Sequence, residues 1–250
     1  MSPVVGLLAF ISEYLDSGLG MGYGTALAPI LIIMSYDPLK VVPAILISQF
    51  FTDIAACIFH HNLYNVDLRV GSPDFKIASF LGAVSSMGVV IAVITAIKIP
   101  RWLLTLYIGF LVFAMGIFIL VNINRTMLFS WRKLAGISFL AAFNKGISGG
   151  GYGPLLMGGQ MLSGINVKNA VGITAFAEAV TCFVGFIIYL VGGRMIDWKL
   201  TGLLVVSATV AVPFAAMTVK NINSVRLKRY VGILITTLGL LTLSKMSSGS

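Results

Sequence analysis

Asp16-Ser17-Gly18-Leu19-Gly20-Met21-Gly22-Tyr23-Gly24 interrupts the first apolar stretch of the chain. Asn144-Lys145-Gly146-Ile147-Ser148-Gly149-Gly150-Gly151-Tyr152-Gly153 stands at the corresponding point of the second half. Each glycine run lies between apolar segments too short to cross a bilayer singly. Matching interruptions in two halves are the sequence pattern of a transporter whose binding site is built from broken helices.

The composition around these runs supports that reading. Of the 250 residues 58% are hydrophobic and only 10% charged, and the mean hydropathy is +1.00. An ordinary soluble domain carries about 25% charge, so the chain reads as an integral membrane protein. The apolar runs are continuous and of helical length, which predicts an all-α polytopic protein rather than a β-barrel. With no charged leader and cleavage site before the first apolar run, no removable signal peptide is expected. The net charge of +9 comes mostly from short loops, where it meets lipid headgroups and sets topology; no nucleic-acid partner is expected.

In the first half the apolar windows are two short pieces, Pro3 to Leu15 and Thr25 to Tyr36, then three spans, Val41 to Phe59, Ile77 to Ile97 and Trp102 to Val121. The second half repeats the order with Leu134 to Phe143, Pro154 to Leu162, Ala170 to Val191, Leu200 to Val219 and Val225 to Leu243. A bilayer needs about 20 helical residues, so the short pieces are expected to be broken or re-entrant helices with the glycine loops near the midplane.

Laying Gly22-Tyr23-Gly24 on Gly151-Tyr152-Gly153 also places Gln49 on Glu178 and Thr52 on Thr181. Val66-Asp67-Leu68-Arg69 then faces Ile196-Asp197-Trp198-Lys199, and Tyr107-Ile108-Gly109 faces Tyr230-Val231-Gly232 after a deletion. The pattern is that of a duplication: residues 1–121 form one repeat, 122–133 a linker, 134–246 a second repeat, and 247–250 a tail resembling an appended linker. If the first element of each half crosses the membrane, the repeats are parallel and the loop Lys and Arg divide evenly. If it re-enters, the repeats are inverted. One side then carries Arg69, Lys76, Arg125, Arg132, Lys133, Lys168, Lys220, Arg226, Lys228 and Arg229 and would be cytoplasmic. The inverted arrangement is favoured because it alone yields a charge bias.

Irregular backbone survives in a membrane only where it is buried in protein or lines a wet cavity. Half-helices starting near Thr25 and Pro154 would aim unpaired N–H groups and positive dipole ends at such a cavity, which suits an anion. Close packing of small residues is the competing explanation for the glycines. The candidate substrate site comprises Asp16, Ser17, Gly18, Gly20, Gly22, Gly24, Thr25 and Gln49 from the first half. The second half adds Asn144, Lys145, Gly146, Ser148, Gly149, Gly150, Gly151 and Gly153. Lys145 is the basic residue deep in an apolar region, placed to pair with an anionic substrate or with Asp16.

Intramembrane ionisable residues are costly and functional by default. Asp16, Asp53 and Glu178 are candidate proton carriers, with snorkelling at the interface a rival for Glu13 and Asp53. His60 and His61 read as interfacial residues beside Asn62, and Trp102, Trp131 and Trp198 as belt anchors. Cys57 and Cys182 read as small packing residues. No cofactor motif, metal spacing, nucleophile elbow or P-loop is present, so nothing argues for an enzyme.

On these residues the chain resembles the sulfite exporter (TauE/SafE) family of membrane permeases, over essentially its whole length. The most specific part is Ser148-Gly149-Gly150-Gly151-Tyr152-Gly153-Pro154 with its echo at Asp16 to Gly24. The resemblance implies transport of small sulfur-containing anions such as sulfite or sulfonates across a cytoplasmic membrane, often as export. The expectation is a secondary transporter binding an oxyanion between two half-helix tips. An anion channel, or a cation- or proton-coupled carrier of another small solute, are the alternatives.

Overall fold

The computed structural model describes residues 3–20, 22–121, 130–193, 196–219, 233 and 236–244. They form α1 (Pro3–Leu19), α2 (Tyr23–Ile33), α3 (Pro38–Asn62), α4 (Pro73–Lys98), α5 (Arg101–Val121), α6 (Trp131–Ser148), α7 (Tyr152–Leu162), α8 (Val167–Val191) and α9 (Trp198–Val219). A further helical stretch covers 236–244, called α10 here. No strand occurs among the described residues. The Tyr230-Val231-Gly232 match, much of the expected span Val225 to Leu243, most of the 122–133 linker and the 247–250 tail lie outside them.

The helices start where local chemistry supplies a cap. Asp37, Ser72 and Asn166 accept hydrogen bonds from the N–H groups of Leu39, Phe75 and Lys168. Pro38 and Pro73 follow two of these caps in the first turn, where a missing N–H costs nothing. Four helices, in α3, α4, α8 and α9, are long and apolar enough to cross a membrane. Phe51, Met87, Phe110, Phe183, Val206, Phe214 and Met217 face outward and are half or more exposed in most cases, as a lipid-facing surface requires. Trp102, Trp131 and Trp198 each stand exposed in the first turn of a helix.

The first arms are longer than the hydropathy windows suggest. α1 has 17 residues and α6 has 18, about 26 Å each at 1.5 Å per residue. Both helices run on through Glu13-Tyr14-Leu15-Asp16-Ser17 and Asn144-Lys145, because these polar side chains find partners inside the protein. α6 begins at Trp131, capped by Ser130, whose side chain accepts from Lys133 N–H. Only the second arms are short, 11 residues in both α2 and α7.

A shift of 129 positions carries α2 onto α7 (23 to 152, 33 to 162) and α3 onto α8 (38 to 167, 62 to 191). The packing follows the same correspondence. α1 lies on α9 and α6 lies on α4; α3 packs on α9 and α8 on α4; α3 and α8 pack on each other. Each first arm therefore rests on a helix of the opposite half, and the halves build one interlocked bundle. The α4–α6 seam is close because it is lined by small residues: a Cβ on Gly88 would stand 2.5 Å from the Phe139 carbonyl oxygen, and one on Gly146 2.6 Å from Ala92 Cβ.

Candidate functional site

α1 ends at Leu19 and α2 starts at Tyr23; α6 ends at Ser148 and α7 starts at Tyr152. Both breaks rest on left-handed glycines: Gly22 at φ 83° precedes α2, and Gly149 at φ 75° closes α6, its N–H bonding the Lys145 carbonyl. The two breaks cross each other. A Cβ on Gly24 would overlap the Gly149 carbonyl, one on Gly150 would stand 2.7 Å from Thr25 N, and one on Gly153 would stand 2.6 Å from Gly22 N. Gly151 N–H donates to Thr25 Oγ1 at 2.8 Å, sealing the crossing with a bond between the loops. Gly24, Gly150 and Gly153 thus make room for main chain of the other loop rather than for a ligand.

The expectation of unpaired N–H groups is corrected by this geometry at the tip of α2. Gly22 and Tyr23 N–H, at the start of α2, donate to the two oxygens of Asp16, each at 2.7 Å. Gly150 N–H donates to Ser148 Oγ. The protein's own carboxylate occupies the anion position at the tip of α2, the place where charge-assisted hydrogen bonds and the helix dipole act together. Pro154 lies third in α7 rather than first, still within the turn whose N–H groups have no intrahelical acceptor.

From Asp16 a buried chain of side chains runs across to the other half. Gln49 Nε2 donates to Asp16 Oδ2 at 2.6 Å. Gln49 Oε1 accepts from Lys145 Nζ, and Lys145 Nζ meets Glu178 Oε1 at 2.7 Å. Lys145 is completely buried and Glu178 is 1% exposed. Lys145 therefore reaches Asp16 through Gln49, not directly. Asn144 accepts from the Tyr107 hydroxyl, and Ser148 Oγ donates to the Asn144 carbonyl.

Several expected residues face elsewhere. Gly18 packs toward Ala215 of α9, and Gly146 toward α4, so both serve helix contacts. Gly20 lies against Met157. Glu13 and Asp53 do not snorkel: they are 0% and 4% exposed, because α9 covers α1 and α8 covers α3. Ser17 Oγ donates to Glu13 Oε1 at 2.5 Å, while Glu13 Oε2 and Asp53 Oδ2 have no hydrogen-bond partner among the described residues. A polar hollow of about 10 Å³ remains among Asp16, Ser17, Asp53, Thr174 and Glu178, roughly the space of one water.

His60 is the residue that sequence reasoning missed. It is fully buried rather than interfacial, because the turn of α3 that carries it packs against the end of α1. Asn65 Nδ2 lies 3.1 Å from His60 Nδ1, and His60 Nε2 lies 2.9 Å from the Ser17 carbonyl oxygen. The pairing fixes a neutral ring with its proton on Nε2. Beyond Asn65 opens a surface recess of about 540 Å³ lined by His61, Asn65, Asp67, Arg69, Asp74 and Asn169.

Long apolar helices around paired helix breaks that are joined by a buried charged chain define a multi-pass membrane protein of the transporter class. The chain belongs to the sulfite exporter TauE/SafE family, whose profile matches residues 5–242. It is also similar to the probable membrane transporter protein YtnM of Bacillus subtilis (strain 168), at 22% identity over 233 residues, covering 88% of this chain and 75% of that one. No solved structure matches.

Proposed function

We propose that the protein is a secondary transporter that carries a small sulfur-containing oxyanion, sulfite or an organosulfonate, outward across the cytoplasmic membrane by alternating access. The observation that carries this reading is the relay from Glu178 through Lys145 and Gln49 to Asp16 and the N–H groups of Gly22 and Tyr23. It links both helix breaks and holds the buried cation and the backbone donors that an oxyanion needs.

The present arrangement is then one in which the α2 tip is closed by the protein's own carboxylate. Asp16 stands in for the anion, and an incoming oxyanion takes its two amide donors while Lys145 turns from Glu178 toward the new charge. Asp16, Glu178 and nearby Asp53 are left with negative charge that the bilayer does not tolerate, so positive charge enters with each cycle. The two halves act as inverted repeats that rock about the crossed glycine loops, with the breaks near the midplane. Family membership and the transporter relative support membrane transport; the chemistry of Lys145 and the α2 tip supports the anion.

Counterflow of radiolabelled sulfite in proteoliposomes tests the proposal, against sulfate, thiosulfate and sodium. Saturable sulfite exchange is the expected result. Non-saturable flux would assign a channel, and sodium exchange without any anion exchange would assign a cation carrier.

A further inference from the structure

We propose that the hollow between α1, α3 and α8 binds a dehydrated monovalent metal cation of sodium's kind, held by the carboxylates of Asp53 and Glu178, with Asp16 in its wall. Charge placement points there first. Asp16 is answered by two backbone amides and Gln49, and Glu178 by Lys145. Asp53 has no such answer. It is 4% exposed, lines the hollow, and its Oδ2 lacks a hydrogen-bond partner among the described residues. A buried carboxylate left alone costs several kcal/mol, and a cation in the hollow removes that cost.

Spacing and donor type narrow the ion. Donor atoms of Asp53, Glu178 and Cys182 lie within 4.8 Å of one another, about twice a hard-cation metal–oxygen distance of about 2.4 Å. One ion can therefore bridge the two carboxylates. The polar side chains that line the hollow, Asp16, Ser17, Asp53, Thr174 and Glu178, offer oxygen, Gly20, Ala56, Val171 and Ala175 complete its wall, and Cys182 is not part of it. An oxygen set selects a hard cation over zinc or copper. Room for about one water excludes magnesium, which keeps several waters, and calcium, which takes six to eight oxygens. A bare monovalent ion needs neither.

The recess and the hollow are linked by hydrogen bonds. The recess carries Asp67 and Asp74 beside Arg69, and behind Asn65 the His60 ring bonds the carbonyl of Ser17, which lines the hollow. Asn65 and His60 thus stand between the two. That the ion drives transport rests on the function proposed above; that it binds does not.

Binding of ²²Na⁺ to the purified full-length protein in detergent tests the site, with choline holding ionic strength constant and lithium and potassium as competitors. Saturable binding is expected, displaced by lithium, together with a higher Tm in sodium than in choline. Asp53→Asn should lower affinity by about tenfold or more. This variant removes an unpaired buried charge, so it should fold at least as well as the parent. Asp53→Glu keeps the charge and should retain measurable binding. Absence of saturable binding, or binding equal in Asp53→Asn, overturns the proposal. So does a Tm that rises with acidification in choline and ignores all three metals, which would give the hollow to a proton. Sodium binding that persists when sulfite exchange is absent would remove the sulfite reading alone.

Discussion

Lys145 and Glu178 form a buried ion pair at 2.7 Å across a separation of 33 residues, and Asp16 and Gln49 form a buried hydrogen bond across the same separation. The shift of 129 positions that superimposes α3 on α8 carries Asp16 onto Lys145 and Gln49 onto Glu178. The two pairs stand at matching positions along the chain and are joined by the bond from Lys145 to Gln49.

Lys145→Met leaves Glu178 buried without its partner, which should cost about 3–5 kcal/mol and lower the Tm in detergent. Lys145→Met with Glu178→Gln removes both charges and should recover most of that loss. Sulfite exchange in proteoliposomes should be absent from both variants. Exchange at the parental rate in the double variant would take Lys145 out of the site.

Asp16→Asn replaces two acceptor oxygens with one and sets an amide donor against donors from Gly22, Tyr23 and Gln49. At least one buried donor loses its acceptor, a cost of about 1–3 kcal/mol. Thermal melts should register the loss, and Asp16→Glu should not restore the parental Tm because its extra methylene displaces the carboxylate from the α2 tip.

Gly24→Ala and Gly150→Ala each push a methyl group into main chain of the facing loop. Neither neighbour is the end of a flexible side chain, so both variants should lose well over about 2 kcal/mol or fail to yield monodisperse protein. Gly136→Ala and Gly202→Ala meet nothing within 4 Å and sit inside α6 and α9, where alanine gains about 0.5–1 kcal/mol over glycine. Size-exclusion profiles and melts of the four variants separate backbone contact from glycine content.

His60→Leu strips the Ser17 carbonyl and the Asn65 amide of their partner. Two buried polar groups left unpaired should cost about 1–3 kcal/mol each. A histidine at the lipid interface would change stability by about 0.5 kcal/mol or less, so the size of the Tm shift distinguishes the two positions.

If the repeats are inverted, as proposed, the α3–α4 and α8–α9 turns lie on opposite faces of the membrane. In a chain with Cys57 and Cys182 replaced by alanine, Gly193→Cys should react with an impermeant maleimide applied to intact cells. Arg69→Cys should react only after the membrane is opened. Labelling of both from one side would show parallel repeats.

Much of this architecture is legible in the sequence because hydropathy reports burial in lipid directly. The two breaks, the short second arms and the long spans all follow from glycine runs set between apolar windows. The first arms were underestimated because Glu13, Asp16, Asn144 and Lys145 lower the local hydropathy, although helix continuity depends on backbone bonds and each of these side chains has at least one partner within the protein. The structure bounds α6 with an N-cap at Ser130 and a left-handed cap at Gly149. The equivalence of Asp16 and Lys145 was hidden by their opposite charge. His60 was missed because its polar neighbours suggested an interface, whereas its burial comes from a neighbouring helix that no local pattern announces. The closed state of the α2 tip was likewise invisible, since nothing in composition says that a carboxylate will fold back onto its own chain's amides.

The crossing of the two loops has a mechanical consequence. Where Gly24 meets Gly149 and Gly150 meets Thr25, backbone bears on backbone, and the Thr25 hydroxyl is the side-chain group that ties the two loops together. In the rocking proposed above, such a joint would turn through small angles without unlocking and act as a fulcrum, with Asp16 and Lys145 carried on the arms that meet there.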